Sequence, residues 1–323
     1  MSTHDYLLKY IKWLILLLAY LFLGYKLVTF DGYEALLEHF SSVSFYDYRF
    51  LFFVFLLLPF NLLFEALKWQ KLVAGLQPIS LGLAFRSVLV GQAGAFFTPN
   101  RIGEFPTRAL LLNKQNMIPA VALGFVGSAM QMLVITMFGL ITTFLYVSSS
   151  VSLLFSSVST AFWVVSFSFV LLLVITFVFL FSHYEWFCER LSSSKWHWLK
   201  RLGQGFAHLS FRDAWRIFSF SALRYFVYSS QFYAMLWFMD VSITPLQALF
   251  SIPTIYLLVT YTPSFAFSEA IVRGSYAIFI LSAFSPNEAG MAFASVCLWF
   301  VNYCLPMLAG SAFLGIRRRE QSL

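Results

Sequence analysis

The chain has 323 residues, of which 60% are hydrophobic, 20% aromatic and only 11% charged, with a net charge of +7 and a mean hydropathy of +0.79. So apolar a composition excludes a soluble globular protein and predicts an all-α polytopic membrane protein with a single transmembrane domain, residues 1–323. The basic residues lie mainly in short loops between apolar segments, which is typical of membrane topology, so we expect no nucleic-acid partner.

Six apolar segments are long enough to cross a bilayer, which takes about 20 residues. They are residues 11–30, 49–68, 119–147, 160–181, 214–239 and 289–314. No small-residue cleavage site accompanies the first segment, so we expect it to be retained as a membrane helix and not removed as a signal peptide.

Two further apolar stretches, residues 80–116 and 246–284, are interrupted near their middles by prolines and charged residues. Each therefore consists of two apolar arms that flank a polar bend, and we expect each to form a re-entrant helical hairpin. Treating every arm as a full span gives ten spans with the same loop sides, so loop charge does not separate the two topologies. We prefer the topology with two hairpins to the one with ten spans, because both segments are interrupted.

Loop charges predict the orientation of these elements. The acidic loop after the first span is predicted to lie outside, whereas the loop with Lys68 and Lys71, the region of Lys114 and the basic segment 182–213 are predicted to lie inside. Both termini are then cytoplasmic.

This orientation gives the two halves of the chain the same order of elements and opposite directions. Residues 1–147 and 160–323 are therefore predicted to be inverted repeats, each with two spans, a hairpin and a third span. In transporters built this way, interrupted helices in corresponding positions indicate the binding site.

The two bends carry the same short pattern. FTPNRIGEFPTR, from Phe97 to Arg108, and YTPSFAFSEAIVR, from Tyr261 to Arg273, each have an aromatic residue, Thr-Pro, a glutamate and an arginine four residues later. So short a match also arises by chance in an aromatic-rich chain. Because non-helical backbone at membrane depth must be buried or line water, we expect the bends to face a cavity. The bend residues are Pro99, Asn100, Gly103 and Pro263.

Charged side chains at the bends suggest an anion site. Arginines beside a helix N-terminus offer bidentate donors for phosphate oxygens, so Arg101, Arg108 and Arg273 are predicted to bind an anionic group. Glu104 and Glu269 would orient these arginines, cap exposed amides or carry a coupling proton. Alternatively, each Glu/Arg pair only fixes its hairpin against a neighbouring helix.

Arg224, within the fifth span, is a further candidate for the same cavity. It could equally be buried against a carbonyl or against Glu65. Gln131 and Asn302 are predicted to form interhelical hydrogen bonds.

Enzymatic motifs are absent from the sequence. There is no GxSxG, HExxH, Walker loop or dinucleotide fingerprint. The five histidines lie in terminal or loop segments, and the three cysteines have neither zinc-site nor disulfide spacing. We therefore expect that the protein is not an enzyme and that it binds neither a metal nor a cofactor.

The run PNRIGE, from Pro99 to Glu104, with Arg108 after it, resembles the P-x-R-x-G-E...R motif of the lysylphosphatidylglycerol synthase transmembrane-region family, a flippase-like membrane domain. The second bend is similar to the downstream P...E motif of that family. However, the glycine-rich bend of the family is PSFAFSE here, which disfavours close backbone approach to a headgroup and leaves the contact to Arg273.

The resemblance implies a multi-spanning domain that moves or accommodates lipids with polar headgroups. In some members this domain is joined to a soluble aminoacyl-transferase domain, which this sequence lacks, so we expect no lipid aminoacylation. The resemblance also implies the cytoplasmic membrane of a bacterium or archaeon.

The leading hypothesis is a lipid translocase that works by alternating access. Its partner would be a membrane lipid with an anionic or modified headgroup: a modified phosphatidylglycerol, another phospholipid or a polyprenyl phosphate. The alternatives are a secondary transporter of a small organic anion and a non-transporting partner of a lipid- or glycan-synthesis enzyme. The sequence predicts no oligomeric state.

Overall fold

The computed structural model describes residues 44–96, 98–148, 195–207, 209–264 and 266–320, with Ser41, Glu189, Arg190 and Ser193 besides. Residues 1–48 and 49–323 form two compact units, and the account below concerns the second. The predicted spans 11–30 and 160–181 lie outside the described residues.

The described residues are helical and contain no β-strand. The α-helices with described bounds are α1 Tyr48–Val73, α2 Leu81–Ala95, α3 Glu104–Ala109, α4 Met117–Ser148, α5 His197–Ala207, α6 Phe211–Phe238, α7 Pro245–Tyr261, α8 Ala266–Leu281, α9 Glu288–Trp299 and α10 Leu305–Glu320. Short 3₁₀ helices cover Pro99–Arg101 and Lys114–Asn116, and a π-turn, Phe300–Cys304, joins α9 to α10.

Side-chain caps define where several of these helices begin. The Ser80 hydroxyl accepts a hydrogen bond from the Leu83 amide at the start of α2. Reciprocal capping boxes open α6, between Ser210 and Asp213, and α7, between Thr244 and Gln247. Each cap satisfies amides that the first helical turn leaves without partners.

Within the described residues, three helical stretches are long and apolar enough to cross a membrane: Tyr48–Val73, Lys114–Phe144 and Glu288–Phe313. They coincide with the predicted spans 49–68, 119–147 and 289–314, so the prediction of a polytopic, integral membrane protein is confirmed. The predicted span 214–239 is the continuous helix α6, which is less apolar than these three stretches. α2 and α7 are apolar but shorter.

Both interrupted segments consist of two helices that pack on each other across a polar bend. In the first, α2 and α3 approach so closely that a Cβ atom on Gly94 would lie 2.2 Å from the Thr107 hydroxyl oxygen. In the second, α7 packs against α8. The small residues of α2 therefore serve the close helix packing that such residues permit.

The leading helix of each interrupted segment also packs against the last helix of the other half. α2 lies along α10, where a Cβ atom on Gly310 would be 1.9 Å from the Leu89 carbonyl oxygen. α7 lies along α4, where a Cβ atom on Gly139 would be 2.8 Å from the Leu257 Cβ. The two halves thus contact each other in matching ways.

The interrupted segments start at opposite ends of the helix bundle. α2 follows the end of α1, and the Lys71 ammonium there is 3.7 Å from Asp213 at the start of α6. α7 follows the end of α6, where the Asn287 side-chain amide donates to the Met239 carbonyl. Since α6 runs for 28 residues between these points, the two bends approach each other from opposite directions.

Candidate functional site

The two bends are hydrogen-bonded to each other. The backbone N–H of Asn100 donates to the Ser264 carbonyl at 2.9 Å. The backbone N–H of Ser264 donates to the side-chain oxygen of Asn100, Oδ1, at 3.0 Å. Asn100 and Arg101 have φ angles of 49° and 59°, a left-handed conformation that costs a non-glycine residue about 1–2 kcal/mol, least for asparagine. The contact between the bends therefore holds a strained backbone in place.

A cavity of about 370 Å³ lies beside this junction. Its wall is formed by residues of α1, α3, α4, α6, α7 and α8, of both bends and of the π-turn. The lining residues used below are Asn61, Glu65, Lys68, Asn100, Arg101, Glu104, Phe105, Gln131, Met132, Ile135, Arg224, Tyr228, Tyr256, Val259, Ser264, Glu269, Arg273, Asn302 and Tyr303. Both halves of the chain thus build one shared site.

Cations outnumber carboxylates in this cavity. The lining contains the cations Lys68, Arg101, Arg224 and Arg273 and the carboxylates Glu65, Glu104 and Glu269. Arg108, which is 2% exposed, lies directly behind two of these carboxylates. With Arg108 included, five lysine and arginine side chains face three glutamates, an excess of two cations over carboxylates.

Glu65 is the shared partner of three cations. One of its oxygens accepts from Arg108 Nη1 at 2.8 Å, and the other lies 2.6 Å from Arg224 Nη1 and 2.7 Å from Lys68 Nζ. Glu65 is only 4% exposed. Arg108 also pairs with Glu104, so two carboxylates face these three cations, and this part of the wall keeps a positive charge.

At the second bend, Glu269 is likewise a carboxylate shared by more than one donor. Glu269 Oε1 accepts hydrogen bonds of 2.6 Å from Arg273 Nη2 and from the Tyr303 hydroxyl. The Arg273 guanidinium lies 5.3 Å from the ring centroid of Tyr256. Ion pairing, hydrogen bonding and ring contact together fix Arg273 at the cavity wall.

Tyr303 connects the arginines of the two bends. The guanidinium of Arg101 lies 4.3 Å from the centroid of its ring, and that of Arg273 lies 6.0 Å from it. Arg101 also donates to the Gln92 side chain at 2.5 Å and is 3.6 Å from Glu104. Tyr303 belongs to the π-turn between α9 and α10, a distortion that is frequent at functional sites.

Most of the predicted site residues meet at the cavity. Asn100, Arg101, Glu104, Arg224, Glu269 and Arg273 line it. Arg108 does not line it, but it bonds to Glu104 and Glu65, which do. The suggested contact between Arg224 and Glu65 is present, and it coexists with exposure of Arg224 to the cavity.

The remaining bend residues have structural positions. The Gly103 amide donates to the Thr98 hydroxyl at 2.8 Å, and Gly103 packs so closely on α2 that a Cβ atom would lie 2.5 Å from the Gly94 carbonyl oxygen. Pro99 begins the 3₁₀ turn four residues after the end of α2. Pro263 lies two residues after the end of α7.

Gln131 and Asn302 form the predicted interhelical hydrogen bonds. Gln131 donates to the Ser221 carbonyl on α6 at 3.1 Å, and Asn302 accepts from the Asn61 side chain on α1 at 2.8 Å. Both residues also line the cavity.

One sequence interpretation is wrong. Lys68 was assigned to a cytoplasmic loop, but it lies inside α1, is 2% exposed and pairs with Glu65. Helix α1 runs on to Val73, and its cavity-facing side is already polar within the predicted span 49–68. The spacing of Asn61, Glu65 and Lys68, four and then three residues, places them on one helical face and was the available signal.

The tyrosines of the cavity were also missed. Tyr228, Tyr256 and Tyr303 stand in aromatic-rich segments, where lipid-facing rings give the same pattern. The described residues contain no group of three or more His, Cys, Asp or Glu side chains that could hold a metal ion.

Comparison with known proteins gives one match. A family model described as the lysylphosphatidylglycerol synthase TM region matches residues 11–310, nearly the whole chain. No curated protein and no solved structure matches it. The family match confirms the resemblance that the bend residues suggested, and it points to a membrane protein of lipid metabolism or translocation.

Proposed function

The chain belongs to the family of the lysylphosphatidylglycerol synthase transmembrane region, and from this premise we propose that it is a lipid translocase. In this proposal the central cavity binds the anionic headgroup of a lipid and opens alternately to the two leaflets. The observation that carries the proposal is the excess of two cations over carboxylates in and directly behind the wall of the cavity where the two bends meet.

Charge balance supports an anionic ligand. Buried cations without matching carboxylates are costly, and a phosphate group would supply the missing negative charge. Arg101, Arg224 and Arg273 present planar guanidinium groups from three different directions, and such groups bind phosphate oxygens through paired hydrogen bonds.

The size and lining of the cavity support a lipid headgroup. A volume of about 370 Å³ suits a headgroup more than a whole lipid. Phe105, Met132, Ile135 and Val259 give part of the wall an apolar surface, and Met132 is 38% exposed. We infer that the acyl chains stay on this apolar side, in contact with the bilayer, while the headgroup occupies the charged side.

The matching contacts of the two halves support alternating access. We propose that residues 1–147 and 160–323 are inverted repeats and that residues 80–116 and 246–284 are re-entrant hairpins from opposite membrane faces, with both termini cytoplasmic. The reciprocal bonds between Asn100 and Ser264 then join the two repeats at the cavity. Rocking of one repeat against the other would expose the cavity to each side in turn.

Reconstitution tests the proposal. The purified chain is placed in liposomes with fluorescent phosphatidylglycerol, and transfer between leaflets is followed by chemical quenching of the outer leaflet. We expect transfer faster than in protein-free liposomes, and we expect Arg273→Gln to abolish it. Arg216→Gln is the matched control, because Arg216 is 47% exposed and remote from the cavity lining.

Three outcomes would overturn the proposal. Transfer equal to protein-free liposomes for phosphatidylglycerol, other phospholipids and a polyprenyl phosphate would exclude translocation. Uptake of a soluble organic anion without lipid transfer would favour a secondary transporter. Absence of both, with co-purification of a lipid- or glycan-synthesis enzyme, would favour a non-transporting partner.

A further inference from the structure

A second polar pocket, here called the loop pocket, lies apart from the central cavity. It has a volume of about 380 Å³ and is lined by Gly75, Leu76, Gln115, Asn116, His197, Lys200 and Arg201. These residues come from the α1–α2 loop, the turn before α4 and the first turns of α5. No residue lines both sites.

The loop pocket lies beside the packed end of the helix bundle. Leu199 and Leu202 of α5 pack in a core cluster with Leu72 of α1 and Leu123 of α4, so the apolar side of α5 is covered by the protein. The polar residues of α5 border the pocket. This is the end of the bundle that loop charge predicts to be cytoplasmic.

Arg201 is held rigidly by neutral groups. Its Nε donates to His197 Nε2 at 3.1 Å, its Nη1 to Asn116 Oδ1 at 3.0 Å and its Nη2 to Gln115 Oε1 at 3.0 Å. The side chain of Asn116 is itself fixed, because its Nδ2 donates to the Leu76 carbonyl at 3.2 Å. A guanidinium has five N–H donors, so two remain for a ligand.

The cations of the pocket face no counter-ion in the part of the chain that the structure describes. Among the described residues, no carboxylate lies within 4.0 Å of Arg201 or Lys200, and none lines the pocket. With Nε2 of His197 accepting from Arg201, its Nδ1 is the ring nitrogen left to contact a ligand. The pocket is thus lined mainly by cationic groups and hydrogen-bond donors, and the guanidinium of Arg201 is already oriented by its hydrogen bonds.

We propose that the loop pocket binds a phosphate-class anion, either free phosphate or the phosphate of a lipid headgroup at the membrane surface. The bound anion would contact Arg201 and Lys200 and so tie α5 to the loops that begin and end the first interrupted segment. This inference does not depend on the proposed function, since it concerns different residues.

Phosphate affinity measured by calorimetry in neutral detergent tests the inference. All variants of the full chain carry Arg273→Gln, so that any contribution of the central cavity is weakened equally in every measurement. Inorganic phosphate is titrated at constant ionic strength, with chloride as the reference anion. We expect Lys200→Gln to weaken phosphate binding about tenfold, the loss of one charge-assisted contact, and Arg201→Gln to abolish it.

Lys195→Gln is the matched control, because Lys195 is an exposed cation near α5 that does not line the pocket. It should leave the affinity unchanged. Equal weakening by Lys195→Gln and Lys200→Gln would reduce the effect to general surface charge and refute the inference. If Arg201→Gln does not fold, Lys200→Gln carries the test, since Lys200 is exposed.

Lipid titrations distinguish the two sources of phosphate. Short-chain phosphatidylglycerol that binds more tightly than inorganic phosphate, and is sensitive to Lys200→Gln, would identify a lipid headgroup. Binding of inorganic phosphate alone would identify a soluble ligand. No measurable binding of either probe would overturn the inference, whatever the liposome assay shows for the central cavity.

Discussion

Replacing Glu65 by glutamine tests the charge balance of the central cavity. Glu65 is 4% exposed and contacts Arg108, Arg224 and Lys68 at 2.8, 2.6 and 2.7 Å. The substitution preserves shape but raises the excess of cations over carboxylates from two to three. Removing one partner of a buried ion pair costs about 3–5 kcal/mol, because the other partner is left uncompensated.

A second substitution should reverse much of this loss. The double variant Glu65→Gln with Arg224→Gln restores the original excess of two cations over carboxylates. The glutamine side chain at position 224 can still donate to Asn61, which Arg224 contacts at 2.8 Å. We therefore expect the double variant to be more stable than Glu65→Gln alone, although each substitution removes a native contact.

Thermal unfolding in detergent measures both effects. At a few degrees per kcal/mol, we expect Glu65→Gln to lower Tm by roughly 10 °C, and we expect the double variant to recover a substantial part. A wild-type Tm in Glu65→Gln would show that the carboxylate does not stabilise the cations. A double variant no more stable than the single one would refute the charge-balance argument.

The remaining predictions concern the bend junction, a helix contact and the π-turn. Asn100→Ala should be about 1–2 kcal/mol less stable than Asn100→Gly, because only glycine adopts the left-handed conformation freely; equal Tm values would contradict strain at this residue. Gly310→Ala should destabilise by about 1–3 kcal/mol through overpacking on α2, whereas Gly82→Ala, with nothing within 4 Å of its Cβ, should not lower Tm. Tyr303→Phe should slow lipid transfer and leave Tm near the wild-type value, because the ring stays between the two arginines while Glu269 loses one donor; an unchanged transfer rate would remove the hydroxyl from the proposed mechanism.

Local sequence patterns predicted the elements that carry the site. Prolines and charges marked the two interrupted segments, and the four-residue spacing of Glu104 and Arg108 predicted a pair on one helical face, which the structure contains. Such signals are local, since they depend on the backbone preference of proline and on the helical repeat.

Contacts between distant segments could not be predicted in the same way. The junction between Asn100 and Ser264 joins residues 164 positions apart, and no periodicity encodes it. Lys68 was misplaced because a lysine at the end of an apolar segment is typical of a cytoplasmic loop, although a cavity inside the protein also accommodates charged residues. The π-turn at Tyr303 has no local signature at all.

The reciprocal bonds between the bends bear on how easily the two halves could separate. Each hydrogen bond contributes a net stabilisation of about 1 kcal/mol. Parting the bends would also free the Asn100 backbone to leave its left-handed conformation, which returns part of that energy. The net cost of parting this junction is therefore about 1–2 kcal/mol, and a headgroup bound as proposed needs only a preference of that size to decide which form predominates.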